Sequence, residues 1–142
     1  MTTGVAIEDP VLAESLRCLA AHVHPEWGDR DPFDAFCRLV AKTRRPAGWT
    51  SNTHLVLSPA QVASRHGMLT TQQLGKLVRP HGRTAGNDFD CPIILVEYGG
   101  ATFVLDGNTR INRWVAASDQ HQHRVHIHTV TSDGKHIEHP GQ

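Results

Sequence analysis

From residue 10 onward the apolar side chains fall at Leu12, Leu16, Leu19 and Val23, the spacing of one face of a helix. Asp9 and Pro10 stand directly ahead of them as an N-cap and a proline at the first helical position, where the missing proline N–H costs nothing. The device repeats: Asp31 caps, Pro32 opens, and Phe33, Phe36, Cys37 and Val40 form a second stripe that Pro46 and Gly48 terminate. Between the two stripes, His22 to Arg30 is polar and carries Trp27.

The period then changes. Thr53 to Leu57 reads as a short strand closed by Ser58-Pro59, and a third helix is expected over Thr71 to Arg79. Thr70 and Gln73 are spaced as a capping box, Leu74, Leu77 and Val78 make its buried face, and Pro80 and Gly82 end it. Pro92 to Tyr98 is β-branched, almost wholly apolar and too short for a buried helix, which marks a core strand. Gly99-Gly100 supplies the positive φ of a two-residue hairpin, and Ala101 to Leu105 returns. A helix is expected from Gly107 to about Ser118, with Ile111, Trp114 and Val115 inward. Val125 to Val130 alternates as a last strand, and Thr131 to Gln142 reads as a small hairpin or a loose tail.

These elements predict an α+β protein: a short N-terminal helical extension, residues 1–50, followed by a mixed sheet packed with helices, residues 51–142. The length of 142 residues suits one core. The formal charge is zero, so no global field draws the chain to nucleic acid or membrane, and anion binding must be local. No apolar run approaches the roughly 20 residues of a membrane span. Cys18, Cys37 and Cys91 are odd in number and lack metal-type spacing, which fits a reducing cytosol. A cytoplasmic protein without membrane contact is expected.

Asp106-Gly107-Asn108-Thr109-Arg110 carries the clearest chemistry. A strand ends, glycine permits a sharp bend, and a helix begins within two residues. The first helical N–H groups have no intrahelical acceptor, and the macrodipole adds partial positive charge. Such an end accepts anions; a guanidinium at Arg110 adds a fork that matches phosphate, and Asn108 and Thr109 add short donors. The bland alternative is an ordinary helix start with Arg110 paired to a carboxylate.

The order of elements from Thr53 to Val130, a bit over half the chain, resembles the ParB N-terminal and sulfiredoxin superfamily. The likeness rests on His81-Gly82 after the third helix, the strand Pro92 to Val96, and Thr102 to Asp106 leading into Gly107-Asn108-Thr109-Arg110. The resemblance implies that this turn binds the phosphates of ATP or CTP with Mg²⁺. It implies hydrolysis or phosphate transfer, with Asp106 and Arg110 as the catalytic pair and Gly107, Asn108, Thr109, Arg110, Arg79 and His81 holding the nucleotide. Two departures narrow it. Sulfiredoxins resemble this region but carry a catalytic cysteine where Asn108 stands, so sulfinic-acid reduction is not expected. With Val130 only 12 residues from the end of the sequence, the further motifs of a partition clamp are not expected. A stand-alone member, as in the free-serine kinases and small ATPase-like relatives, is the remaining expectation. The alternative is a DNA-associated module of the plasmid-regulatory kind that reads a backbone phosphate; the balanced charge argues against it.

Other residues offer chemistry of their own. Lys76, Arg79, His81 and Arg83 lie close in sequence and either reach the nucleotide or form a solvated basic helix end. Arg113 sits three residues after Arg110, as a second phosphate contact or a surface ion pair. Asp88, Asp90 and Glu97 are alternative carboxylates for a base or metal. His126 and His128 share one strand face and, with His121, His123, His136, His139, Asp133 or Glu138, invite a metal; outward-facing histidines explain the pattern without one, and no metal is assigned. His22-x-His24 with Glu26 is a weaker version of the same idea. The N-terminal helices either pack on the sheet, form a homodimer face or receive substrate.

Overall fold

A computed structural model describes residues 7–27, 31–50, 52–78, 91–132 and 134–137, with the side chains of 22–27 and 136 outside the description. Asp9 caps the first helix as expected, its carboxylate accepting from the N–H groups of Val11 and Leu12. That helix, α1 (Pro10–Trp27), continues through the stretch expected to be a polar connection. Asp31 accepts from the Asp34 N–H and opens α2 (Pro32–Thr43), whose Phe33, Phe36, Cys37 and Val40 are buried. Both helices thus start where a side-chain oxygen satisfies N–H groups that the helix cannot.

β1 (Thr53–Leu55) pairs antiparallel with β6 (Lys135–Ile137), so the tail was more than a loose end. A single 3₁₀ turn, Pro59–Gln61, leads into β2 (Val62–Thr70), a nine-residue strand absent from the sequence-based expectation. Thr70 and Gln73 do form a capping box, but α3 (Thr71–Gly75) stops short of the expected Arg79. β3 (Ile93–Tyr98) and β4 (Ala101–Asp106) make the expected hairpin, with Gly99 and Gly100 at φ of 61° and 78°. α4 (Asn108–Ala116) and β5 (Gln122–Val130) follow.

The four-stranded sheet runs β2-β5-β3-β4, antiparallel except where β5 lies parallel to β3. Because side chains alternate across a strand, the two sheet faces build two cores. Ile94, Val96 and Tyr98 meet α1 and α2 through Leu12, Leu16, Leu19, Phe36 and Val40. Ile93, Leu95 and Val125 meet α3 and α4 through Leu74 and Ile111. The first core draws on residues from both sides of position 50. Val115, expected inward, is 47% exposed, whereas Ile111 is fully buried. Arginine rather than an apolar residue completes the inner face: Arg110 is buried.

Two covalent and electrostatic features depart from the cysteine arithmetic. Cys18 on α1 is bonded to Cys91 just before β3, with Cα atoms 6.2 Å apart. The reducing compartment expected from the odd cysteine count did not anticipate this bond, since disulfides persist in oxidising surroundings. Cys37 is the free thiol, buried, and burial pushes its pKa up to about 12. No described helix is long and apolar enough to cross a membrane.

Candidate functional site

The Asp106–Arg110 turn stands where strand hands over to helix. The β3–β4 register slips between Ile94 and Leu95, so Asp106 faces Ile94 while Val104 faces Leu95. Leu105 is the extra residue, and such a bulge bends the strand as it ends. Gly107 then takes φ of 116°, the left-handed region that glycine enters without a Cβ penalty. The space is closed as well: a Cβ at Gly107 would lie 2.4 Å from Ile93 Cδ1 and 3.4 Å from Arg110 Nη2.

α4 begins with no side-chain cap and no acidic residue in its first turn. The Ile111 N–H is the first to close onto the helix, donating to the Gly107 carbonyl. Asn108 and Thr109 are half-buried beside it. Arg110 folds back beneath the turn. Its Nη1 donates to the Cys91 carbonyl and its Nη2 to the Pro92 carbonyl, with the Asp106 carboxylate 3.6 Å from Nη2. The guanidinium therefore sits between the turn and the chain entering β3, its charge balanced by Asp106. Arg79 and His81, the other expected nucleotide contacts, lie outside the described residues, as do Arg83, Asp88 and Asp90. Glu97 is remote from the turn. Its carboxylate accepts from the Thr129 hydroxyl and from Arg65, and these two bonds hold it below the usual carboxylate range.

The histidines behave differently from the outward row expected of them. His126 and His128 point into the α1 side of the sheet, 4% and 0% exposed. Ser64 Oγ lies 2.7 Å from His128 Nδ1, and His128 Nε2 lies 2.8 Å from Ser15 Oγ. Ser15 Oγ in turn is 2.9 Å from His126 Nδ1, and His126 Nε2 is 3.7 Å from Glu14. Burial holds both imidazoles below their ordinary pKa, His128 at about 4; Glu14 pulls the other way on His126. This chain was missed because its members are scattered. The available signal was Ser15, a polar residue on the Leu12–Leu16–Leu19 stripe.

His123 is spoken for elsewhere: it stacks on Trp114 with centroids 3.6 Å apart and meets Thr71 at 2.9 Å. Asp119 gathers His121, His123 and Thr71 at the end of α4, and the His121 N–H is the main cause of its lowered pKa. Among the described residues no group of three or more His, Cys, Asp or Glu could hold a metal ion. Comparison of the chain with protein-family models, with curated proteins and with solved structures returned no match. Fold and site together define an α+β protein with a mixed sheet between two helical layers and a glycine turn at a sheet edge.

Proposed function

We propose that the Gly107–Arg110 turn binds the phosphates of a nucleotide, ATP or CTP. The observation that carries this is the start of α4: a left-handed glycine opens a helix with neither side-chain cap nor first-turn carboxylate. The main-chain N–H groups of Asn108 and Thr109 would contact the phosphate, since backbone donors at a helix start suit an anion. Arg110 is a positioning residue in this scheme. Held by the Cys91 and Pro92 carbonyls, it fixes the turn from beneath rather than reaching out. Gly107 gives the chain the left-handed bend that opens α4, and its missing Cβ leaves room for Ile93 beneath the turn.

Among the described residues, Mg²⁺ finds no protein site at the turn. The turn offers one carboxylate, Asp106, and it already faces Arg110. A magnesium ion would arrive with the nucleotide's own phosphates. Hydrolysis or phosphate transfer extends the same proposal, in the ParB/sulfiredoxin-like manner that the sequence suggests, and the DNA-binding alternative has no observation in its favour.

Calorimetric titration with ATP, CTP and GTP in Mg²⁺ buffer tests the proposal, alongside Asn108→Asp. That substitution is isosteric and suits the helix dipole, so the fold should hold or gain, while the added charge repels phosphate. At least tenfold weaker binding at an unchanged or raised thermal midpoint is expected. Absence of binding to any of the three, or equal binding by Asn108→Asp, overturns it.

A further inference from the structure

We propose that Ser64 is a nucleophile primed by the buried Ser15–His126–His128 chain, giving the protein an esterase-type acyl-transfer site separate from the nucleotide turn. The two sites lie apart in the fold. Ser64 is on β2, at one edge of the sheet and on the α1 face, whereas the turn follows β4 at the opposite edge.

One tautomer set satisfies every member of the chain. His126 Nε2 lies 3.7 Å from a Glu14 oxygen that already accepts from Arg124 Nη1 at 3.1 Å; with the ring proton on Nε2, Nδ1 is an acceptor. The Ser15 hydroxyl, 2.9 Å away, donates to that nitrogen. With its proton so used, the Ser15 oxygen accepts from His128 Nε2–H at 2.8 Å. His128 Nδ1 is then bare and accepts from Ser64 at 2.7 Å. Every hydroxyl and ring N–H points the same way, from Ser64 toward Glu14. Nucleophile, base and orienting group thus stand in the relation that defines a catalytic serine, with Ser15 in the place of the orienting acid. Two further features favour chemistry at Ser64 over a merely satisfied core. Burial keeps His128 uncharged at neutral pH, which leaves a ring nitrogen lone pair for the Ser64 hydroxyl. Ser64 itself is half-buried on the outermost strand, and among the described residues nothing pairs with that strand's far side. An edge strand turns alternate main-chain N–H groups outward, and these are donors for the oxygen of a substrate carbonyl.

The step balances as follows. Ser64 Oγ bonds to the carbonyl carbon of a carboxylic ester while its proton passes to His128 Nδ1. The adduct expels the alcohol oxygen, which takes that proton and leaves as the alcohol. Water, deprotonated by the same nitrogen, then adds to the acyl carbon; the bond to Ser64 Oγ breaks, that oxygen takes the proton back from His128, and a carboxylic acid leaves.

The whole chain would be incubated with a fluorophosphonate and with p-nitrophenyl acetate, with peptide mass mapping of the first. One adduct, on Ser64, and an initial burst of nitrophenol are expected. Ser64→Ala should lose the adduct and burst while keeping its circular-dichroism spectrum, and Glu14→Gln should slow labelling several-fold with Ser64 intact. The eleven histidines will cleave p-nitrophenyl acetate slowly on their own, so the burst and adduct decide. No adduct at Ser64 on folded protein, labelling elsewhere only, or labelling at an undiminished rate in Glu14→Gln overturns the proposal.

Discussion

Arg110 on α4 donates to the main-chain carbonyl of Cys91, the residue whose sulfur is bonded to Cys18 on α1. One guanidinium thereby ties the helix on one face of the sheet to the helix on the other, through the residues just ahead of β3. The turn at Gly107 is consequently not a loop with its own freedom; its floor is fixed by contacts from three elements.

Removing that floor should be costly. Arg110→Ala leaves the Cys91 and Pro92 carbonyls short of a donor and Asp106 without its nearby charge, and a buried group left unsatisfied costs about 1–3 kcal/mol. A loss of roughly 2–4 kcal/mol in urea unfolding is expected. Arg110→Lys should recover only part of it, because an ammonium lacks the planar fork that serves two carbonyls at once. Full recovery by lysine would show that charge alone matters.

Gly107→Ala should destabilise by about 2 kcal/mol, from the left-handed φ and from the collision with the buried Ile93 side chain. Gly67 is the internal control. Its Cβ would find only Val125 Cγ2 at 3.9 Å, and it lies in a strand where glycine is entropically poor. Gly67→Ala should be neutral or stabilising by a few tenths of a kcal/mol. Equal thermal midpoints for the two variants would dismiss the strained turn.

Helix starts and the central hairpin were legible because their signals are local: Asp9, Asp31, Thr70 and Gly99-Gly100 each act within three residues. β2 was illegible for a physical reason. An edge strand is half-solvated, and Ala63, Arg65, His66 and Met68 are exposed, so no clean alternation marks it. The turn could be located from Gly107 and Arg110, yet not the direction of Arg110, since its partners Cys91 and Pro92 are set by tertiary packing. The histidines were misjudged because Ser15, their partner on α1, lies more than a hundred residues upstream, as the 111- and 113-residue separations of its contacts attest.

The Cys18–Cys91 bond spans 73 residues, which in the chain-entropy account stabilises by about 4 kcal/mol. Cys37 supplies a built-in check, since a buried thiol with pKa raised to about 12 resists alkylation. Native protein should therefore show no reactive thiol, and mild reduction should expose Cys18 and Cys91 while lowering the unfolding midpoint. Alkylation of Cys18 or Cys91 without reductant would refute the bond.

Acid should loosen α1 from the sheet. His128 is held at about 4 against an ordinary 6.5, chiefly by burial, with His126 adding to the effect and Asp9 opposing it. His126 is lowered too, again by burial first, with Arg124 and His66 beside it and Glu14 opposing. Ser15 and Ser64 are neutral neighbours. Above about pH 6.5 both histidines are uncharged in folded and unfolded chains, so neither contributes. Between 6.5 and about 4 the unfolded chain binds protons that the folded chain refuses, and stability falls as pH falls. His128 alone accounts for about 2 kcal/mol by roughly pH 5 and about 3 kcal/mol once both states are protonated. Glu97 and Asp119, whose folded values are lowered from 4.5 and 3.8, remove stability only at lower pH still. Urea unfolding of wild type and His128→Gln at pH 7.5, 6, 5 and 4.5 separates the effects. The wild type should lose stability steadily across that range, and the glutamine variant, which cannot take up a proton at this site, should show a clearly shallower slope. Parallel slopes would place the acid sensitivity elsewhere than beneath α1.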